Sequence, residues 1–393
     1  MSLDIAAVQR ALREQALDGW LWYDFQGTNP IAVRLAGLAG TPKMTTRRWF
    51  YFIPVQGEPR GLVHAIERGS LDALPGPKTP YAGRVELDTG LRRLLNGARR
   101  IAMEYSPGGA IPYVSRVDAG TIELVRQHGV EVVSSGDLVQ QFEARWSDAQ
   151  IASHRAASEK LYRIKDLAFA TVAERLHAGT PTTEYDLQQL MWRWFQDEGL
   201  TSDAAPMVAI DDNASNPHYV PEPDRSRALA PGQLLMVDLW GKTRADGAVF
   251  ADITWMAYTG RRVPEEMARA FSAVCEARDA AVALVEEAAQ QSRPIRGYEV
   301  DRHARQVLDK AGYGAYLLHR TGHSLGQTVH GNGAHLDDYE THDERRLLPR
   351  TGFTIEPGIY LGPFGVRTEI NVVWTDDGPQ VTGPRQQEIV TLG

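Results

Sequence analysis

Five residues of metal-ligand type follow one another in the C-terminal part of the chain: Asp238, Asp252, His323, Glu356 and Glu369. Four are carboxylates and one is an imidazole. Carboxylate-rich ligation favours Mn²⁺, Mg²⁺ or a similar hard ion over a thiolate-type zinc site. The carboxylates fall into two pairs, each placed like the two arms of a β-hairpin. Such a set can hold two divalent cations around one bridging water, which is the chemistry of hydrolysis.

Asp238 lies in LLMVDLW (234–240) and Asp252 in AVFADITWMAY (248–258). Both runs are rich in apolar and β-branched residues, as strands prefer. GKTRADG separates them, and its Asp246-Gly247 step is a turn signal. The midpoint of the two aspartates is residue 245, inside that turn. This predicts near cross-strand neighbours, about 5 Å apart at Cβ. FTIEPGIY (353–360) and GVRTEINVVW (365–374) repeat the design around LGPFG, with Glu356 and Glu369 straddling the turn. Facing inward carboxylates repel, and burial raises their pKa. Two such pairs in apolar strands call for a positive charge between them. The plainer reading, four solvent-facing acids on amphipathic strands, explains each residue singly but not both pairs together.

The elements that must position these groups suggest two domains, as does a length of 393 residues. Up to residue 145 helix-like and strand-like segments alternate. DIAAVQRALREQ, LDTGLRRLLNGA and AGTIELVRQHG read as helices; WLWYDF, WFYFIPV, GLVHAI, RRIAMEY and VEVVSS read as strands. That is an α/β domain around a central sheet, with Tyr23, Trp49 and Tyr51 read as core or rim aromatics. A boundary near ARWSDAQ (144–150) gives domains 1–145 and 146–393. Helical patterns then run to about residue 200. A loop-like stretch, SDAAPMVAIDDNASNPHYVPEPDRSRALAPG, leads into the first hairpin. The blocks VPEEMARAFSAVCEARDAAVALVEEAAQ and YEVDRHARQVLDKAG, both helical, separate it from the histidine motif.

Composition narrows the classes. The net charge is −8 and no long basic run occurs, which argues against a nucleic-acid partner. Cys275 is the single cysteine, in keeping with a reducing cytoplasm. MSLDIAAVQRALREQ lacks the pattern of a signal peptide, and no apolar run of about 18 residues is present to span a membrane.

His323 sits in HRTGHSLGQTVH (319–330), bracketed by glycines that let its backbone approach another segment. His330 follows, and His218 lies in NPHYVPEP. His335 and His342 read as hydrogen-bonded surface or rim residues. The ordered set Asp238, Asp252, His323, Glu356, Glu369 resembles the pita-bread metallopeptidases, which include methionine aminopeptidase, aminopeptidase P and prolidase, and their non-metal relative creatinase. GHSLG…H, TIEPGIY, GVRTE and NPHY each resemble a family segment, and the preceding α/β domain resembles the creatinase/prolidase branch.

The resemblance implies a creatinase-like α/β N-terminal domain followed by an α+β pita-bread catalytic domain with a curved antiparallel sheet. It implies two divalent metal ions per subunit, manganese first, with cobalt or zinc as alternatives. Asp238 would chelate one ion, Asp252 and Glu369 would bridge both, and His323 and Glu356 would complete the ligand set of the second ion. Glu356 would also move the proton from water to the leaving nitrogen. His218 and His330 would hydrogen-bond the scissile region, with Tyr219 beside them, and Arg367 would orient a ligand carboxylate. The implied substrate is a proline-containing di- or oligopeptide and the implied assembly a homodimer. An Xaa-Pro dipeptidase is the first reading; aminopeptidase P, acting on longer peptides, is the alternative.

The chain departs from the family pattern in three places. Asp252-Ile253-Thr254-Trp255 stands where Asp-x-Thr-Arg is common. The Asp–Asp spacing is a few residues longer. The stretch after His330 (HGNGAHLDDYETHDERRLLPR) has no early arginine to grip a dipeptide's C-terminal carboxylate, leaving Arg345, Arg346 or Arg350 as candidates. Two other classes compete. GHSLG matches Gly-x-Ser-x-Gly with Ser324 as nucleophile, but an elbow needs a helix directly after it. A binding protein that kept the fold and lost the catalysis would not need all five ligand types, and creatinase-like chemistry needs no metal set at all.

Overall fold

The computed structural model describes residues 4–39 and 45–393, so the first three residues of the N-terminal stretch lie outside it. The chain divides after Glu143 into two compact units.

The first unit is built on a six-stranded mixed sheet: β1 (Gly19–Asp24), β2 (Trp49–Pro54), β3 (Arg60–His64), β4 (Lys78–Tyr81), β5 (Arg100–Met103) and β6 (Glu131–Ser134), in the order β4-β3-β2-β1-β5-β6. β1 to β3 pair antiparallel, and the outer pairings are parallel. Strand periodicity sends Trp20, Trp22 and Tyr51 to one face, under α1 (Ile5–Glu14) and α2 (Pro30–Leu35). Leu21, Tyr23 and Phe50 go to the other, under α3 (Arg84–Leu94) and α4 (Ala119–Arg126). α5 (Gly136–Val139) closes the unit. Tyr23, Trp49 and Tyr51 are all buried core residues. One acid is buried here as well. The Glu104 carboxylate accepts from Trp20 Nε1 at 2.7 Å, Asn29 Nδ2 at 2.8 Å and Ser135 Oγ at 3.1 Å.

The second unit opens with α6 (Asp148–Ala178), started by a Ser147/Gln150 capping box and stopped by Gly179 in the left-handed region. α7 (Glu184–Asp197) has its own capping box from Thr183 and Asp186. β7 (Leu200–Thr201) and β8 (Met207–Ile210) follow, then the hairpin of β9 (Leu234–Thr243) and β10 (Ala251–Tyr258). β8 runs through what the sequence pattern presents as loop. It has only four residues and pairs along β9, so no alternation betrays it. α8 (Glu265–Gln290) and α9 (Gly297–Lys310) precede β11 (Ser324–Leu325). The second hairpin is β12 (Thr351–Ile355) and β13 (Gly358–Tyr360) against β14 (Gly365–Arg367) and β15 (Ile370–Thr375). β16 (Gly378–Thr382) and β17 (Val390–Thr391) end the chain's strands. The sheet orders are β17-β10-β9-β7, with β8 also on β9, and β11-β12-β15-β16.

Alternation decides what each hairpin shows to the site. In the first, Val237, Leu239, Ile253 and Trp255 pack with Leu161, Ile164 and Ala168 of α6. The opposite face carries Asp238 and Asp252 beside Met236 and Met256, which join the core under α8 and α9. In the second, Phe353, Ile355, Ile370 and Val372 enter that same core. Their strand neighbours Thr354, Glu356, Glu369 and Asn371 must then face the other way. Among the described residues, no helix is long and apolar enough to cross a membrane.

Candidate metal centre

The register refines the expected pairing. Asp238 stands opposite Thr254, and Asp252 opposite Trp240. The two aspartates are therefore diagonal neighbours on one face, about 7–8 Å between backbones, not direct partners. The hairpin is centred on residue 246 and not on 245, which shifts each partner by two residues. The second hairpin behaves as read: continuing either of its ladders sets Glu356 opposite Glu369. Both ladders are interrupted at these two residues. Glu356 N donates to Thr321 O at 2.7 Å, and Glu369 N donates to Thr254 O at 3.2 Å. The break in pairing is thus where this hairpin is sewn to the histidine segment and to the first hairpin.

The metal-type side chains converge there. Asp252, His323 and Glu369 each offer an atom within 4.8 Å of the others, and all three are buried. His323 Nε2 lies 3.6 Å from Asp252 Oδ2 and 3.3 Å from Glu356 Oε1. Asp238 and Glu356 each keep 15% of the side chain exposed, so solvent reaches the cluster from their side. Gly322 makes the approach of the histidine possible: a Cβ there would sit 2.1 Å from Thr354 O. Gly326, the other bracket, meets no such conflict.

Two threonines hold the carboxylates in place. Thr354 Oγ1 accepts from His323 N at 2.9 Å and donates to Glu356 Oε1 at 3.0 Å. Thr254 Oγ1 accepts from Arg367 Nε at 3.0 Å and donates to Glu369 Oε2 at 2.9 Å. The Arg367 guanidinium also reaches the Asp238 carboxylate and donates to the Tyr360 hydroxyl at 3.0 Å. His319 Nδ1 faces Arg320 O at 2.7 Å, so it carries the proton there. Its Nε2 then accepts from Tyr360 OH at 2.6 Å. Neither threonine, nor Tyr360, nor His319 stands out by residue type. Their signal was position: 254 and 354 lie two residues from a paired acid, on the same strand face.

The electrostatics describe a site short of positive charge. Burial, then repulsion from Glu369, Asp238 and Glu356, drives Asp252 well above the ordinary carboxylate range. Glu369 is raised for the same reasons, burial first and Glu356 next. Asp238 is raised by burial against the pull of Arg367. Burial, with His330 beside it, lowers His323 to about 3, leaving a neutral imidazole able to ligate. Asp238 Oδ1, Asp252 Oδ1 and Glu369 Oε1 are buried without a protein hydrogen-bond partner. Orphaned carboxylate oxygens are expensive unless something cationic meets them. The donor set of oxygens with one imidazole nitrogen fits a hard divalent ion.

The histidines divide. His330 is exposed, with its ring edge-on to His323 at 4.4 Å between centroids. His218 is exposed on its loop, within electrostatic reach of Asp238 and His330. Tyr219 commits its hydroxyl proton to Glu184 at 2.8 Å. His342 is a surface residue bonded to Asp338 at 2.6 Å. His335, expected at the surface or rim, is instead fully buried; its Nδ1 accepts from Ser324 N at 3.1 Å. That packing comes from the loop folding back on β11, which residue type does not announce. Arg345 is spent on Asp343, Asn332 O and Gly333 O, and Arg350 on Asp148, Asp376 and Trp146 O. Where an arginine was missing, the Trp255 ring lies under Lys165 Nζ at 4.0 Å. Ser324 is buried, its Oγ accepts from Gly333 N at 3.0 Å, and no helix follows it, so the elbow reading is excluded.

Comparisons with known proteins agree with this geometry. Residues 156–376 match the profile of metallopeptidase family M24. The chain is 28% identical over 266 residues to a protein of Mycobacterium tuberculosis named probable dipeptidase PepE; the match covers 67% of this chain and 65% of that protein. It is 35% identical over 174 residues to the Xaa-Pro dipeptidase of Lactobacillus helveticus, covering 44% of this chain and 42% of the other. The crystal structure of dipeptidase PepE from Mycobacterium ulcerans superposes with a TM-score of 0.71 at 24% identity, over 99% of this chain and 96% of that one. A prolidase from Thermococcus sibiricus gives 0.64 at 22%, over 98% of each. The fold is the pita-bread fold of the creatinase/prolidase branch, preceded by an α/β unit.

Proposed function

Starting from the chain's membership of metallopeptidase family M24, we propose that it hydrolyses the Xaa-Pro bond of dipeptides at a centre of two divalent ions. The observation that carries this reading is the set of buried carboxylate oxygens without hydrogen-bond donors. Charge supports two ions. Four carboxylates and one arginine leave three negative charges around a neutral His323. One divalent cation leaves one of them uncompensated; two, with one water proton lost, leave none. Manganese suits the oxygen-rich set best.

Asp238, Asp252, His323, Glu356 and Glu369 would hold the ions. When bound, the ions supply an acidified water and a Lewis acid for the peptide carbonyl. The rest falls to the chain. Glu356, on the solvent side and steadied by Thr354, takes the water's proton and hands it to the proline nitrogen. His218 and His330 donate hydrogen bonds to the oxygen that gains charge at the scissile carbonyl. Arg367 fixes Asp238 and shares Thr254 with Glu369, which locks the two hairpins in one geometry.

One observation favours the longer-substrate alternative. Arg345 and Arg350 are both committed to structural partners, so neither is ready to grip a dipeptide's carboxylate. The test compares an Xaa-Pro dipeptide with an Xaa-Pro-Yaa tripeptide, each with Mn²⁺ and with chelator. Metal-dependent cleavage of the dipeptide alone supports the dipeptidase. Preference for the tripeptide makes the chain an aminopeptidase P. Cleavage of neither removes both readings.

A further inference from the structure

Glu184 is fully buried at the start of α7, and its carboxylate collects donors from four separate points of one segment. Ile210 N donates to Oε1 at 2.8 Å. Asn213 Nδ2 straddles both oxygens at 2.9 and 3.1 Å. Tyr219 OH and Arg227 N reach Oε2 at 2.8 and 3.0 Å. All four donors lie between the end of β8 and the return toward β9, and His218 stands in their midst. The backbone doubles the tie: Glu184 N donates to Arg227 O at 3.0 Å, and Tyr185 N to Ser226 Oγ at 2.7 Å.

The same segment is pressed against the metal hairpin on its other side. A Cβ at Gly365 would meet Ala214 O at 2.1 Å, and Gly362 N donates to Ser215 Oγ at 3.1 Å. Between these anchors the loop is thinly held. His218 is exposed, and Val220 is 67% exposed. The His218 ring itself is left to its neighbours: His218 N donates to Asn216 Oδ1 at 3.1 Å, Tyr219 packs against the core, and the Tyr219 hydroxyl is tied to the carboxylate.

We propose that Glu184 is a positioning residue, whose buried carboxylate sets where His218 stands relative to Asp238 and His330. The inference rests on the reading of His218 as a substrate contact. Buried donors left without an acceptor are costly, and this carboxylate is the acceptor for all of these. Glu184→Gln keeps the volume but turns one oxygen into a donor facing other donors. The loop would loosen, while the ligands of the metal centre, on other strands, stay in place.

Two measurements test this on the full, Mn²⁺-loaded chain. The first is amide exchange by mass spectrometry. Glu184→Gln is expected to speed exchange across 210–227 and to leave the segments 351–356 and 369–375 unchanged, with metal content as in the unaltered chain. Unchanged exchange across 210–227 overturns the clamp. The second is a kinetic cycle with His218→Ala on an Xaa-Pro dipeptide. Glu184→Gln alone is expected to lower kcat/KM by about ten-fold, and to cost almost nothing further in the His218→Ala background. An equal loss in both backgrounds shows a merely structural role and overturns the proposal. An inert His218→Ala refutes the role of His218 and the positioning claim with it, while altered exchange would still distinguish the clamp from that failure. Should Glu184→Gln not fold, Asn213→Ala removes two of the bonds; the expected result is the same pattern with a two- to five-fold loss, about half the effect in energy.

Discussion

The two units each bury acids, and they treat them differently. Glu104 in the first unit has both carboxylate oxygens met by donors, from Trp20, Asn29 and Ser135. Asp238, Asp252 and Glu369 in the second each keep one buried oxygen with no protein donor, and they stand among one another. Burial alone therefore does not mark a functional acid. A buried carboxylate ringed by donors ties chain segments together, as Glu104 does, and Glu184 as well. A group of them left short of donors is waiting for positive charge.

The largest effect should come from the acid that combines both characters. Glu356 takes a threonine hydroxyl on one oxygen and keeps a solvent-facing side. Glu356→Gln is predicted to leave the fold intact and lower kcat by about 10²–10⁴-fold. Turnover within a few-fold of the unaltered chain would remove Glu356 as the proton carrier.

Glu104 sharpens the other side of the contrast. Burial outweighs its three donors and raises it from 4.5 to about 7. Between those values the folded chain holds a proton that the unfolded chain has lost. Stability should then fall as pH rises through that window, by about 3 kcal/mol at most, and level off above it. Urea midpoints followed by tryptophan fluorescence on metal-loaded protein measure the slope, and Glu104→Gln should flatten it. A slope unchanged by the substitution would place the titrating group elsewhere.

Metal removal acts on the second unit alone. Ions that bind the folded chain at about 100 times their Kd stabilise it by about 2.7 kcal/mol. Chelation should lower the thermal midpoint accordingly, and added Mn²⁺ should restore it. A midpoint indifferent to chelator would mean that the orphaned oxygens are not metal ligands. The smallest effect is expected at Arg350, whose partners Asp148 and Asp376 are exposed acids. Arg350→Ala should change stability by less than about 1 kcal/mol and leave the dipeptide KM as it was. A large rise in KM would restore Arg350 as the carboxylate clamp.

Much of the second unit was legible because strand periodicity is a strong signal. It put Glu356 opposite Glu369 and set Asp238 and Asp252 on one face. It could not give the exact register of the first hairpin, since the turn between Thr243 and Ala251 absorbs residues in a way that composition does not show. It also missed β8, which is too short to alternate visibly. The burial of His335 and the five bonds to Glu184 depend on partners distant in sequence, and no local pattern encodes them. His319 and Tyr360 were within quoted motifs, yet their mutual hydrogen bond appears only when two segments 41 residues apart are folded together.

The central claim is that the donor-poor carboxylates form a two-ion centre. The direct measurement is the Mn²⁺ content of the purified, dialysed chain beside Asp252→Asn, by elemental analysis per mole of protein. Two ions per chain, with fewer in the variant, is the predicted result. A chain that retains none, or a variant that retains as many as the original, would contradict it.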